Sequence, residues 1–238
     1  MQVRGIDLDL FGRPVVRRSG AAQMALPLKW RPGSVAHHGD FLVSHSNALA
    51  AQHIQGFGDW HSPASILAGP PKSGKSLLGA MFRDAGAGDV IDTLAGAAEA
   101  DVFHAWNRAS TNGRKLLIIV DSTADVASVE LPDLRTRLAT APVVSILEPD
   151  HELATALVQC LLAERGLAAT GAVVRYVADR IDHSYAAIHS CVDAIDHEAM
   201  ASGRPLGVRL VHDVLIAEGF IVDAGDKDGI SKCAGQDV

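Results

Sequence analysis

The segment AGPPKSGKSLL at residues 68–78 constrains the fold of this chain more than any other stretch. It fits the pattern G-x-x-x-x-G-K-[ST], with the apolar run SILAG leading into it and LLGAMF following it. In such a loop, glycines let backbone N–H groups converge on phosphate oxygens, and the start of the following helix adds positive potential. The pattern therefore predicts a strand, a loop and a helix that together bind the phosphates of a nucleotide.

The loop also predicts particular contacts. We expect Lys75 to reach the outer phosphates and the Ser76 hydroxyl to bind Mg²⁺, with ADP or ATP as the nucleotide. A second Mg²⁺ ligand should be an aspartate at the end of a neighbouring strand, and by spacing alone both Asp92 and Asp121 qualify. The predicted nucleotide-binding residues are Gly69, Pro70, Pro71, Lys72, Ser73, Gly74, Lys75, Ser76 and Leu77.

Four short segments predict the strands of the sheet: residues 65–69, 89–92, 115–121 and 142–147. KLLIIVD at 115–121 is apolar without alternation, which is typical of a parallel strand covered on both faces. Helical segments separate the strands, and SNALAAQHI at 46–54 predicts a helix capped by Ser46. This alternation predicts an α/β domain.

After Pro149 the pattern changes to helices only. Apolar residues recur at helical spacing in four segments, and they predict a small helical domain over 150–218. The apolar face predicted for the first of these helices consists of Leu153, Ala156, Leu157, Cys160 and Leu161. We expect an α/β domain over 31–149, a disordered tail over 1–22 and a flexible, polar tail over 219–238.

Composition narrows the classes of function. The net charge of −7 argues against direct DNA binding, so we expect DNA to be reached only through a partner. The three cysteines form no CxxC pair and the eleven histidines form no recognisable ligand set, so neither a disulfide framework nor a structural metal is predicted. Without an apolar run of about 20 residues or a signal peptide, we expect a cytoplasmic protein and no membrane partner.

From residue 23 to about 217 the chain resembles the bacterial replication initiator DnaA and, more closely, its shortened regulators of the Hda type. Besides the phosphate loop, the resemblance rests on FLVSHSNALA at 41–50, LPDLRTRL at 131–138 and SYAAIHSCVDAIDHEA at 184–199. It implies an AAA+ P-loop domain with a parallel sheet, followed by a small helical lid. Only sixteen residues separate Ser76 from Asp92, so we expect the sheet to be one edge strand short.

The resemblance assigns roles that spacing leaves open. It implies that Asp92 binds Mg²⁺, that Asp121 is a sensor, and that Arg137 is an arginine finger acting on a neighbouring molecule's nucleotide. Two positions depart from a hydrolysing member: Thr93 follows Asp92 where a carboxylate would orient water, and Ala186 stands where the lid carries an arginine. Because each loss slows phosphoryl transfer by orders of magnitude, we expect weak or no intrinsic ATPase activity.

The peptide QMALPL at 23–28 resembles the one by which Hda-like proteins bind the sliding clamp of the replicative polymerase. Within the predicted peptide segment 23–30, the expected contact residues are Gln23, Met24, Leu26, Pro27 and Leu28. They would place apolar side chains in a hydrophobic groove of the clamp, with a proline limiting the entropy lost on binding. The alternative is an apolar linker that packs on the surface of its own domain.

The resemblance therefore implies a regulator of replication initiation that docks on the clamp and promotes ATP hydrolysis by DnaA in trans. One alternative is an autonomous ATPase whose base is supplied by Glu99 or Asp101. Another is an interaction module whose nucleotide site is vestigial. Self-association stays open.

Overall fold

The computed structural model describes residues 36–38 and 41–222, the first three as backbone. The predicted clamp peptide and the 1–22 tail lie outside the described residues, as does the 219–238 tail beyond residue 222. The described residues fall into two compact units, one ending at Leu153 and the other beginning at Ala154. Each unit is considered by itself.

The first unit begins with a strand pair and a helix. Strands β1 (Ala36–His38) and β2 (Phe41–Val43) are antiparallel, where the sequence indicated only a loop before residue 41, and helix α1 spans Ala48–Gln55. The expected Ser46 cap is wrong, because Asn47 occupies the residue before the helix. Its Oδ1 accepts a hydrogen bond from the Ser44 amide and its Nδ2 donates to the Leu42 carbonyl, so it braces the turn instead of capping α1.

The predicted parallel sheet follows. Its strands are β3 (Ala64–Ala68), β4 (Gly88–Ile91), β5 (Lys115–Val120) and β6 (Val143–Ser145), in the order β4-β5-β3-β6. All three pairings are parallel. Within the described residues the sheet thus has four strands with β4 at one edge, as expected for a domain that is one edge strand short.

Helices connect the strands of the sheet. They are α2 (Lys75–Asp84), α3 (Glu99–Asn112), the short α4 (Ala124–Ala127) and α5 (Pro132–Thr140). Residues 116–120 of β5 are all buried, which confirms a strand covered on both faces. Trp60 and Trp106 are both buried, and Trp60 stacks on Phe82 of α2 with ring centroids 5.4 Å apart.

The second unit consists of helices, and they continue the chain from α6 (His151–Glu164). The others are α7 (Gly171–Ala178), α8 (Tyr185–Ser202) and α9 (Val208–Ala217). Side chains cap two of them, since Thr170 accepts from the Val173 amide and Ser184 from the Ala187 amide. None of the helices among the described residues is long and apolar enough to cross a membrane.

The apolar face predicted for α6 is partly wrong. Cys160 is only half-buried, whereas Ala154, Val158 and Leu162 are fully buried. Leu153 and Leu161 belong to both the predicted and the observed set. Because α6 is apolar on most of its surface, the sequence defined a helix but not the direction of its buried stripe.

Candidate nucleotide-binding site

The phosphate loop lies between the end of β3 and the start of α2, as the sequence predicted. Gly74 has φ of 86°, and a Cβ at this position would lie 2.9 Å from the Phe41 ring. A Cβ at Gly69 would approach the Ile146 Cβ to 3.0 Å. The positive φ of Gly74 favours glycine there, a side chain at Gly69 would be tightly packed, and the backbone forms a cradle at the carboxyl-terminal ends of the strands.

Lys75 is the central side chain of the cradle. Its Nζ donates hydrogen bonds of 2.7 Å to the carbonyls of both Gly69 and Pro70, and the residue is only 7% exposed. It also forms an ion pair of 3.0 Å with Oδ1 of Asp121. The ammonium group thus lies at the centre of the loop, held by contacts that phosphate oxygens could replace.

Ser73 supplies an independent sign of a ligand. Its side chain is 4% exposed, and within residues 41–222 its Oγ has no hydrogen-bond partner. An unsatisfied buried hydroxyl costs about 1–3 kcal/mol, so natural proteins rarely keep one without use. A phosphate oxygen in the cradle is a chemically suitable partner, and the residues present therefore fit a nucleotide phosphate.

Asp121 follows β5, the strand adjacent to the one that leads into the cradle. The turn that carries it is held by Asp125, whose Oδ2 accepts hydrogen bonds from the amides of Asp121 and Ser122. The carboxylate of Asp121 is 65% exposed, on the open side of its pair with Lys75. The structure thus brings one of the two candidate aspartates directly onto the cradle lysine.

The residues assigned to Mg²⁺ are both exposed. Ser76 is the second residue of α2, and Asp92 follows β4, one strand farther from β3 than Asp121. A Mg²⁺ ion held by these residues would take its remaining ligands from phosphate and water oxygens. Thr93, also exposed, precedes a short 3-10 turn over Leu94–Gly96.

Glu99, which the sequence offers as an alternative base, is already engaged in hydrogen bonds to the backbone. Its two carboxylate oxygens accept hydrogen bonds of 2.7 Å from the amides of Glu130 and Leu131. These amides immediately precede α5, so Glu99 fastens the start of α5 to the start of α3. Asp101, the other alternative, is exposed in the first turn of α3.

Arg137 lies in the last turn of α5 and is held against α3. It is 32% exposed, its Nη1 donates a 2.6 Å hydrogen bond to Oδ1 of Asn107, and its Cζ lies 4.5 Å from the Phe103 ring centroid. An ion pair of 3.8 Å to Asp133, the contact expected of an ordinary surface arginine, is also present. Arg135, which could share its role, is exposed on the same helix.

The position of Arg137 follows from the topology. It lies six residues before β6 begins, and β6 starts at the same edge of the sheet as its parallel neighbour β3. The phosphate loop follows the other end of β3. Arg137 therefore lies near the amino-terminal ends of the strands, whereas the cradle of its own chain lies at their carboxyl-terminal ends.

Sequence reasoning missed the residues that support the cradle from outside the motif. Phe41 packs on Gly74, and the carbonyl of Ser46 accepts a hydrogen bond from the Leu147 amide, which ties the segment 41–50 to the residues after β6. Asn107 and Phe103 hold Arg137. No local pattern marks such partners, because they lie far away along the chain.

Ala186, which stands where the resemblance implies a lid arginine, is exposed in the first turn of α8.

Comparison with solved structures identifies the fold. Domain III of the replication initiation protein DnaA of Thermotoga maritima superposes with a TM-score of 0.62 at 14% identity, over 76% of this chain and 95% of that one. The chain has the AAA+ fold of DnaA domain III. A DNA replication initiation factor gives a TM-score of 0.53 at 14% identity, with 68% and 64% of the two chains covered.

More distant structures share the same fold. The RuvB Holliday junction branch migration motor of T. maritima gives a TM-score of 0.50 at 11% identity, over 71% of this chain and 66% of that one. No family model matches the chain. An uncharacterized protein of Haemophilus influenzae is 24% identical over 118 residues, which are 49% of this chain and 51% of that protein, so the chain spans about half the length of this curated relative.

Proposed function

We propose that this protein is a nucleotide-binding regulator of the Hda type with weak or no ATPase activity of its own. The observation that carries the proposal is the combination of a complete phosphate cradle with Thr93, instead of a carboxylate, after Asp92. Lys75 and the unpartnered Ser73 hydroxyl support binding. Of the two alternative bases, Glu99 is engaged, because both of its carboxylate oxygens already accept backbone hydrogen bonds, and Asp101 is left as the alternative that the turnover measurement tests.

The Lys75–Asp121 pair favours ADP over ATP. A γ-phosphate that approached Lys75 would have to share the ammonium with the carboxylate of Asp121, 3.0 Å away. Two negative groups competing for one cation repel each other in a partly buried site. The two phosphates of ADP carry less charge to this position. Mg²⁺ would be held by Ser76 and Asp92.

Arg137 is proposed to act on the nucleotide of another molecule. Its place near the edge opposite the cradle prevents it from serving its own phosphates, and its contacts to Asn107 and Phe103 orient the guanidinium before any partner arrives. Preorganised positive charge is what stabilises the transition state of phosphoryl transfer. The proposed partner is DnaA, and the proposed site of action is the DNA-loaded clamp, bound through residues 23–28.

The nucleotide site is tested by binding and turnover. Lys75→Met should weaken ADP binding about 100-fold, or ~2.7 kcal/mol, because charge-assisted hydrogen bonds to phosphate are lost. The matched control Arg108→Ala removes an equally positive, 58% exposed residue on α3, and it should leave affinity unchanged. Equal affinity in all three proteins would favour the vestigial site, and turnover at ordinary ATPase rates would favour the autonomous enzyme.

The action in trans is tested by DnaA's hydrolysis rate in the presence of clamp-loaded DNA. Arg137→Ala should reduce the stimulation by about 10³-fold or more, the scale on which arginine fingers act. Arg108→Ala, which removes a 58% exposed arginine on α3, is the matched control and should retain the stimulation, whereas Arg135→Ala tests whether that residue shares the role. Thermal unfolding of the variants separates lost chemistry from lost packing, since Arg137 also contacts α3. Undiminished stimulation by Arg137→Ala would reject the mechanism.

A further inference from the structure

An apolar groove of about 500 Å³ lies between α1 and β6, and the residues that line it lie outside the phosphate loop. Its apolar walls include Val43, Leu49, Val143 and Leu147. Three of these are unusually open for large apolar residues, with exposures of 76% for Leu49, 47% for Val143 and 61% for Leu147. We refer to this surface as the edge groove.

The edge groove runs along an open sheet edge. Pro142 accepts from the Ile66 amide and the Ile146 amide donates to Ala68, so these alternate residues of the β6 segment face β3. The backbone groups of Val143 and Ser145 therefore point away from the sheet, and no strand among residues 41–222 pairs with them. An apolar, unpaired edge strand is a surface that natural proteins usually cover.

The chain itself leads to this groove. Ala36, the first described residue, pairs with Val43, which lines the groove. Thirty-five residues precede it, and they include the peptide QMALPL at 23–28. The eight residues from Leu28 to Ala36 span at most about 29 Å when extended, several times the length of the three-residue β6, so the peptide can reach the groove.

The sequence of the peptide matches the groove. Met24, Leu26 and Leu28 alternate with other residues, so in an extended conformation their side chains share one face. Pro27 lacks an N–H and is accepted in a strand only when that position faces away from the pairing edge. An added strand of this kind would place apolar side chains in the groove and backbone groups against Val143 and Ser145.

We propose that residues 23–28 dock in the edge groove of their own chain and close it as an added strand. Docking of this peptide in the groove does not depend on the clamp. Where the clamp does bind the same peptide, groove and clamp compete, and clamp affinity falls in proportion to the fraction of chains with the peptide released.

Cross-linking tests the occupant. In the full chain with Cys160→Ser and Cys233→Ser, the pair Leu26→Cys and Leu49→Cys should form an intrachain cross-link with a short bis-maleimide. The control pair Leu26→Cys and Met200→Cys uses an equally open site, 78% exposed, and should cross-link at least tenfold less. Equal yields would overturn the proposal, and so would an interchain product that grows with concentration, which would make a second copy the occupant.

Amide exchange tests the added strand without new cysteines. In the unmodified chain, the amides of Val143 and Ser145 should exchange slowly, and Leu26→Asp should accelerate both at least tenfold. The Leu116 amide, which donates to the Pro63 carbonyl inside the sheet, is the internal reference and should not change. Unchanged exchange at Val143 and Ser145 would contradict the proposal. Neither measurement uses the clamp, so failure of clamp binding would not be mistaken for failure of docking.

Discussion

The two ends of the central sheet each hold a lysine ammonium against backbone carbonyls, but in different ways. At the amino edge, Lys115 Nζ donates to the carbonyls of Trp60 at 2.6 Å and Ser62 at 3.2 Å. At the carboxyl edge, Lys75 donates to Gly69 and Pro70 and also pairs with Asp121. Lys115 fastens two segments of the fold, whereas Lys75 lies in a loop whose geometry suits phosphate.

The polar groups around the two lysines also differ in whether they have hydrogen-bond partners. Near Lys115 the polar groups are satisfied: the Trp60 indole donates to the His53 carbonyl, and Ser65 Oγ donates to the Pro142 carbonyl. Near Lys75, the Ser73 hydroxyl has no partner within residues 41–222, and Lys72 has a positive φ of 64°. The polar groups around Lys115 are therefore satisfied, whereas the surroundings of Lys75 keep one unsatisfied hydroxyl and one strained backbone conformation.

The largest expected effect is at the amino edge, where Trp60→Ala should reduce the free energy of unfolding by about 3–5 kcal/mol. The 7% exposed indole stacks between His53 and Phe82, so its removal leaves a cavity. Urea unfolding measures the loss. Trp60→Phe keeps one aromatic ring and loses the hydrogen bond to the His53 carbonyl and part of the ring volume, so it should lose less, about 1–3 kcal/mol. Equal losses in both variants would contradict the stacking argument.

Lys115→Met should lower the free energy of unfolding by about 1–2 kcal/mol, because the carbonyls of Trp60 and Ser62 lose their donor. ADP affinity of the folded protein should stay the same. The neighbouring variant Arg114→Ala is the control. It removes a 59% exposed charge whose ion pair with Asp89 is long, at 3.9 Å, so it should change the free energy of unfolding by less than about 0.5 kcal/mol. A free energy of unfolding that Lys115→Met leaves unchanged would contradict the proposed difference between the two ends of the sheet.

At the carboxyl edge the sign of the effect should reverse. Lys72→Gly should raise the free energy of unfolding by up to about 1 kcal/mol in the absence of nucleotide, since glycine tolerates a left-handed backbone. Lys72→Ala is the matched control, because it removes the same charge and keeps the strain. Chemical denaturation of both variants decides the matter, and a gain shared by Lys72→Ala would attribute the effect to charge.

The sequence predicted the cradle well because its signal is local. Gly69, Gly74, Lys75 and Ser76 lie within eight residues, between an apolar strand and a helix. The partners that tune the site were beyond reach, since the Lys75–Asp121 pair spans 46 residues. A single sequence does not distinguish two distant residues that form an ion pair from two separate surface charges.

The details of the fold that the sequence missed have different causes. Strand β5 was predicted because its continuous apolar run marks a buried parallel strand. The strand pair β1–β2 was missed because its first strand, AHH, has no such run. The buried face of α6 was partly misassigned because the helix is apolar around most of its circumference. Tertiary packing decides the buried face of α6, whereas β1–β2 is a local pair whose first strand carries no strand signal.

The smallest predicted effect is a difference in pH dependence at the amino edge. Burial lowers the pKa of His53 from its usual 6.5, and its Nε2 lies 2.7 Å from Ser65 Oγ. As pH falls below 6.5, the unfolded chain takes up this proton before the folded one does, so stability declines until the folded pKa is passed. His53→Gln can keep a hydrogen bond to Ser65 without titrating, and its free energy of unfolding should decline less between pH 7.5 and 5.5. The two slopes should differ by less than about 1.4 kcal/mol per pH unit, the limit for one proton. Because the other histidines are common to both proteins, parallel curves would show that His53 does not destabilise the amino edge on protonation.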